Sequence, residues 1–174
     1  KMRLGWDDTS RNAPELARIA EDIGVQMITV HGRTRCQLYN GQANWDAVRA
    51  VKDAVQIPII VNGDIQTADD AKTARAKSGA DGVMIGRGAN GKPWALRQIM
   101  DNTPPPPKAE IKSVMIEHYD SILSHYGIAQ GSKIARKHMG WYLQNFHDST
   151  DIYSNLNSTH NPDDVKSLIQ GLSI

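Results

Sequence analysis

This chain is poor in several of the features that fix a protein's class at sight. It has a single cysteine, Cys36. That excludes an intrachain disulfide framework and a cysteine-rich metal centre, and it fits a reducing compartment. No apolar run approaches the roughly 18 to 20 residues of a membrane-spanning helix, and no secretory signal peptide is present, so the expectation is a cytoplasmic protein without a membrane partner. Net charge is also small, at +1, with 20 Lys and Arg against 19 Asp and Glu. Global charge therefore gives no argument for a nucleic-acid partner, and only local clustering can supply one. No internal repeat, heptad run or metal-ligand spacing is evident.

What is present is an ordinary globular composition, 40% hydrophobic and 22% charged over 174 residues, enough for one domain or one small domain with an appendage. The chain enters on Lys1, inside a strand-like KMRLG, which reads as a piece of something longer. Lys1 to Gly5 reads as the end of a strand. A helix is expected from about Ala13 to Ile23, capped by Asn12 and Glu15 with Pro14 in its first turn, and with Leu16, Ile19, Ala20 and Ile23 on its apolar face. Gln26 to Val30 is the second strand. Asn44 caps a helix from Trp45 to Ala54, and Ile57 to Val61 is the third strand. Thr67 with Asp70 forms an acidic capping box for a helix ending near Ser78 and Gly79, and the fourth strand is Gly82 to Ile85. Short apolar strands alternating with helices predict a parallel sheet covered by helices.

The remainder has another character. Trp94 to Met100 reads as a short helix. Residues 102–108, with four successive prolines, cannot be helix interior and mark a linker between a domain over 1–101 and another over 109–174. Beyond it, Ile111, Val114, Met115, Tyr119, Ile122, Leu123 and Tyr126 recur at helical spacing, as do Ile134, Ala135, His138, Met139, Tyr142 and Phe146. Asn161 and Pro162 start a last helix carrying Val165, Leu168, Ile169 and Leu172. These make a small antiparallel bundle of three or four helices.

The strand ends carry the candidate chemistry. Lys1, His31, Asn62-Gly63-Asp64 and Gly86-Arg87 all fall where successive strands stop, and a parallel α/β barrel places its site at that face. Each has a plain reading of its own: a solvated lysine, a structural histidine, a turn of the usual Asn, Gly and Asp, a tight glycine turn. Together they define one edge. Gly86 and Gly88 allow backbone N–H groups close to a phosphate, and Arg87 adds a fork of donors.

The segments KMRLGW, TVHGRTRCQLYNGQANW, IPIIVNGDI, GADGVMIGRGANGKPW and IARKHMGWYLQ, in this order and spacing, resemble the C-terminal half of a bacterial tRNA-dihydrouridine synthase, most similar to the DusB branch. The resemblance covers nearly the whole chain. It implies the C-terminal half of a (β/α)8 TIM barrel, with about four parallel strands, followed by an all-α domain that binds tRNA. It implies FMN as cofactor, NADPH as its reductant and reduction of a uridine C5–C6 bond in tRNA, with a cysteine acid protonating C5. Lys1 would touch the isoalloxazine and tune its N1/O2 edge electrostatically. Asn62, Gly63, Asp64, Gly86 and Arg87 would lie along the ribityl phosphate, and His31 would sit beside flavin or uracil. Arg33 and Arg35 are candidate tRNA phosphate contacts.

Lys133, Arg136 and Lys137 share one helix face. Such a face is ordinarily just solvated, and the resemblance makes it a tRNA contact. His138 is expected to be a core hydrogen-bonder, with Trp141 and Tyr142 as packing residues. The family's catalytic cysteine belongs to sequence absent here, so no catalytic residue is expected in this chain. Cys36 reads as a small half-buried loop residue. The chain alone is expected to hold little FMN, to lack synthase activity and to self-associate through exposed half-barrel edges. The rival readings are another FMN barrel oxidoreductase acting on a small molecule and a non-catalytic RNA-binding module.

Overall fold

The computed structural model describes residues 1–146 and 149–173. They form two compact units, one of Lys1–Ala89 with Ala95–Thr103, the other of Asn90–Trp94 with Pro104–Ile174.

The first unit is α/β. Strands β1 (Met2–Arg3), β2 (Ile28–His31), β3 (Ile59–Asn62) and β4 (Gly82–Met84) form one parallel sheet in the order 1-2-3-4. Helices α1 (Ala13–Asp22), α2 (Trp45–Lys52) and α3 (Ala68–Ser78) make the crossovers between successive strands, and α4 (Ala95–Asp101) follows a 3-10 turn at Arg87–Ala89. Parallel strands buried by helices read as continuous β-branched runs, and Val30, Ile59 and Val61 are buried at the centre against Val48, Val51, Ala71 and Ala74. The helix starts follow local chemistry. The Asn44 side chain accepts the Ala47 N–H, and Thr67 and Asp70 cap each other reciprocally. Gly79 ends α3 in the left-handed conformation, where glycine alone is unstrained.

Two expectations for α1 are corrected. Asn12 occupies the N-cap position without a side-chain cap bond, and the buried face is Ala13 and Ala17 rather than Leu16, Ile19 and Ile23, which are all exposed. Small residues let α1 approach the sheet closely, so its larger side chains point away from this core.

The second unit is helical. α5 (Lys108–Leu143) is broken at Gly127, whose φ of 74° and ψ of 163° lie outside helical space. The arms 108–126 and 128–143 fold back on each other: Gly131 sits against Leu123, and the ring of His118 against those of His138 and Tyr142. α6 (Ser149–Ser158) and α7 (Pro162–Gln170) complete a four-helix core around Met115, Tyr119, Ala135, Met139, Leu156, Val165 and Ile169. Asn161 caps α7 through Asp163 N–H, with Pro162 in the first turn. Gly91 and Trp94 belong to this unit, the Gly91 carbonyl accepting from the Asn145 amide at 3.0 Å. Among the described residues no helix is long and apolar enough to cross a membrane.

Candidate active site

Parallel strands in register bring their last residues to one level. Arg3 pairs with His31, His31 with Asn62 and Asn62 with Met84, so Arg3, His31 and Asn62 share one face at the C-terminal end of the sheet. They line a cleft of about 470 Å³ together with Lys1, Tyr39, Gly63, Asp64, Gly86, Arg87 and Gly88. All seven residues expected to meet the cofactor, Lys1, His31, Asn62, Gly63, Asp64, Gly86 and Arg87, are thus brought together.

Their surroundings give each a different role. Asn62 is buried and its amide donates to the Met84 carbonyl at 2.8 Å, which ties β3 to β4 at the cleft floor. Gly63 has φ of 114°, and a Cβ there would lie 2.6 Å from the His31 ring, so the close approach of β3 to that ring requires glycine. At Gly86 a Cβ would meet nothing within 4 Å, leaving backbone open towards the cleft side of the loop. Lys1 and Arg87 are exposed.

His31 is buried and stays neutral. Burial, followed by the charges of Arg3, Arg33 and Lys1, lowers its pKa to about 4 against a partial opposing pull from Asp64. The Arg33 guanidinium approaches His31 Nε2 at 3.4 Å, which makes Nε2 the acceptor and assigns the ring proton to Nδ1.

Arg33 and Asp64 are corrections to the sequence reading. The Arg33 side chain is 2% exposed and all of its donors are taken: Asp64 accepts from Nη1 and Nη2 at 2.9 and 2.7 Å, Asn40 and Gly41 carbonyls accept from Nε and Nη2, and Nη1 also faces His31. No donor remains for an RNA phosphate. Asp64, expected along a phosphate, instead accepts from Arg33 and from the Ala43 N–H. Burial raises its pKa, but the Arg33 hydrogen bonds, the Ala43 N–H and the Arg33 charge outweigh this and the net shift is downward. Arg35, a candidate tRNA phosphate contact, is exposed at the start of the loop 35–41. Cys36 is exposed rather than half-buried and is not part of the cleft lining.

Sequence reasoning missed Arg3 and Tyr39. Arg3 lies two residues from Lys1, hence on the same strand face, and that period was the available signal. Tyr39 lies within the segment 29–45 already singled out, but nothing local marked its ring as cleft lining, because its position depends on how the loop 35–41 folds. In the helical unit, Lys133 and Lys137 are exposed, whereas Arg136 is half-buried and borders a crevice lined by Tyr119, Met139 and Leu156. Tyr142 is buried, as packing demands. The hydrogen bond expected of His138 belongs to His118, whose Nδ1 lies 3.1 Å from Tyr142 Oη, while His138 packs edge-on against His118 and Trp141.

A four-stranded parallel sheet that gathers cations and glycines at its C-terminal end, followed by a helical bundle, is half of a (β/α)8 barrel enzyme with an added α-domain. The chain belongs to the dihydrouridine synthase family, whose model matches residues 1–172. It is 51% identical over 175 residues to a probable tRNA-dihydrouridine synthase of Rickettsia conorii, covering 97% of this chain and 53% of that protein. A probable tRNA-dihydrouridine synthase of Rhodobacter capsulatus is 51% identical over 150 residues, 83% of this chain and 46% of its own length. The tRNA-dihydrouridine synthase B of Salmonella typhimurium is 47% identical over 150 residues, with 83% and 47% covered. The chain spans about half the length of the curated relatives it matches.

Two outcomes are expected from this geometry. A proton NMR titration of the His31 ring should show its midpoint near pH 4. Because the folded ring resists protonation, it favours the fold fully above the ordinary value of 6.5, and that contribution declines as pH falls towards 4. Asp64→Asn should destabilise the first unit by about 2–3 kcal/mol in urea unfolding, below the fully buried case because Asp64 is partly exposed. The difference should persist above the ordinary carboxylate value of 3.8 and close as pH falls below it.

Proposed function

We propose that this chain supplies one wall of the flavin site of a tRNA-dihydrouridine synthase, together with the helical domain that holds its tRNA. The observation that carries the reading is the row Arg3, His31, Asn62 at one register, closed by Lys1, Gly86 and Arg87 around a single cleft. This donor set suits a phosphorylated, planar ligand: three cations face the cleft, and the carboxylate that lines it is already paired with Arg33. Bound FMN, reduced by NADPH, supplies the electrons for saturating the C5–C6 bond of a uridine.

The chain's own residues bind and orient. Arg87 and the Gly86 backbone would hold the phosphate, and Lys1 would steady the negative charge that gathers on reduction. Neutral His31 offers Nδ1–H as a hydrogen-bond donor beside flavin or uracil without adding a cation. The acid that protonates C5 and the remaining flavin contacts belong to the half of the relatives' length that this chain does not span; without the second wall the chain holds little FMN, and without the acid it has no synthase activity. On the helical unit, Lys133 and Lys137 with the exposed Arg35 on the barrel unit are the phosphate contacts, while Arg136 contributes its partly packed guanidinium at the edge of the same helix face. The exposed Leu16, Ile19 and Ile23 of α1 and the unpaired outer edges of β1 and β4 favour pairing with a second copy.

Filter binding with tRNA tests the reading. The wild-type chain should bind in a salt-dependent manner and purify colourless. Replacing Lys133 and Lys137 by glutamate should reduce the salt slope by about two, one for each lost phosphate contact. Unchanged binding would remove the helical face as the contact. Sedimentation should show association of the wild-type chain that Ile19→Glu with Ile23→Glu weakens; a monomeric wild-type protein would overturn the pairing.

A further inference from the structure

The cleft contains one Tyr, Phe or Trp side chain, Tyr39, to which neither the strand ends nor the donor row assigns a role. Tyr39 is 63% exposed, yet its backbone is held on both sides. Before it, Arg3 Nη1 donates to the Thr34 and Leu38 carbonyls at 2.8 and 2.9 Å. After it, the buried Arg33 donates to the Asn40 and Gly41 carbonyls at 3.1 and 2.6 Å. Leu38 takes φ of 51°, a left-handed value uncommon for leucine, and this turns the loop at that point. Two arginines thus fix the Tyr39 backbone through four carbonyls, so the root of the exposed ring is set at the cleft.

What it faces is charge. The guanidinium carbon of Arg87 lies 4.5 Å from the Tyr39 ring centroid and that of Arg3 lies 5.7 Å from it, both over the ring. Among the described residues no carboxylate stands within ion-pair distance of Arg87. The attraction between a cation and an aromatic face fixes where the guanidinium sits without neutralising it or occupying its N–H groups. A carboxylate in the same place would fix it equally well and would compete with the anion.

We propose that Tyr39 is a positioning residue for anion binding: its ring holds the Arg87 guanidinium, with Arg3 behind it, so that a phosphate monoester dianion meets oriented and still unpaired donors. The inference rests on the phosphate reading of the cleft given above and adds the residue that organises it. Because an exposed arginine samples many rotamers, the gain is entropic: the ring selects the binding-competent ones before the anion arrives.

Inorganic phosphate is the probe, titrated at constant ionic strength into the whole chain while the Nε–Hε signals of Arg3, Arg33 and Arg87 are followed in proton–nitrogen spectra. In the wild-type protein the Arg87 and Arg3 signals should move with phosphate. The signal of Arg33, whose donors are all spent, should stay still and report an intact fold. Tyr39→Leu should weaken the apparent phosphate affinity at Arg87 roughly two- to fivefold, the span that an exposed cation–π contact supports. Tyr39→Phe keeps the ring and should restore it. If Tyr39→Leu binds phosphate as tightly as wild type, or if Tyr39→Phe falls as far as Tyr39→Leu, the positioning role is wrong and the phosphate site stands. If the wild-type Arg87 signal does not respond, or responds equally to chloride, the phosphate reading and the role of Tyr39 fall together.

Discussion

The paired charges of Arg33 and Asp64 set the geometry of the whole open end of the sheet. Arg33 stands just past β2 and Asp64 just past β3, so their two-pronged contact fixes one strand end against the next. A guanidinium cannot shed its proton to escape burial. With its side chain 2% exposed, Arg33 therefore needs a full set of acceptors, and the fold arranges them: a carboxylate, two loop carbonyls and an imidazole nitrogen. Desolvating such a pair gives little net stability, and removing one partner is costly. Its value here is in geometry, because two of the acceptors it recruits, Asp64 and His31, are pieces of the cleft wall, and the other two, the Asn40 and Gly41 carbonyls, hold the loop that follows Tyr39.

A second effect follows from the crowding of positive charge. Burial already disfavours the charged form of His31, and the charges of Arg3, Arg33 and Lys1 act in the same direction, so the ring is neutral. Two of the cations that face the cleft, Arg3 and Lys1, thus add to burial in stopping the histidine from becoming another cation. Neutral imidazole keeps distinct donor and acceptor nitrogens, and the Arg33 contact decides which is which. A planar ligand carrying both hydrogen-bond donors and acceptors meets direction here rather than mere charge.

Much of this was legible in the sequence where the signal was local. Asn44, Thr67 with Asp70, Gly79 and Asn161 with Pro162 mark helix ends by chemistry contained within a few residues, and the structure places the ends there. Two apolar runs on either side of Gly127 announced two helices, and a hairpin is what forms. The misreadings share one cause, dependence on a partner far along the chain. Whether Arg33 is free or buried is decided by Asp64, 31 residues away. Its neighbour Arg35, identical in type and two positions on, is exposed. The apolar stripe of α1 has helical period, but period alone does not say which side the sheet occupies; Ala13 and Ala17 win because small side chains allow closer approach. Tyr39 lies within the motif 29–45, but no strand or helix period marked it as a cleft residue, because the place of its loop is set by hydrogen bonds to its neighbours' carbonyls.

The break at Gly127 also makes the contacts within α5 local. Along its two arms the sequence separation of the contacts grows outward from that glycine, from Leu123 against Gly131 to His118 against His138 and Tyr142. Each new contact closes a short loop once the previous one is made, so little chain entropy is spent at any step. In the sheet, by contrast, Met2 must find Val30, and Ile28 must find Ile59, across whole crossovers before any pairing is gained. Low contact order is thus a property of the α5 hairpin alone, because its docking on α7 joins Lys112 to Gln170, 58 residues apart, farther along the chain than any strand pairing.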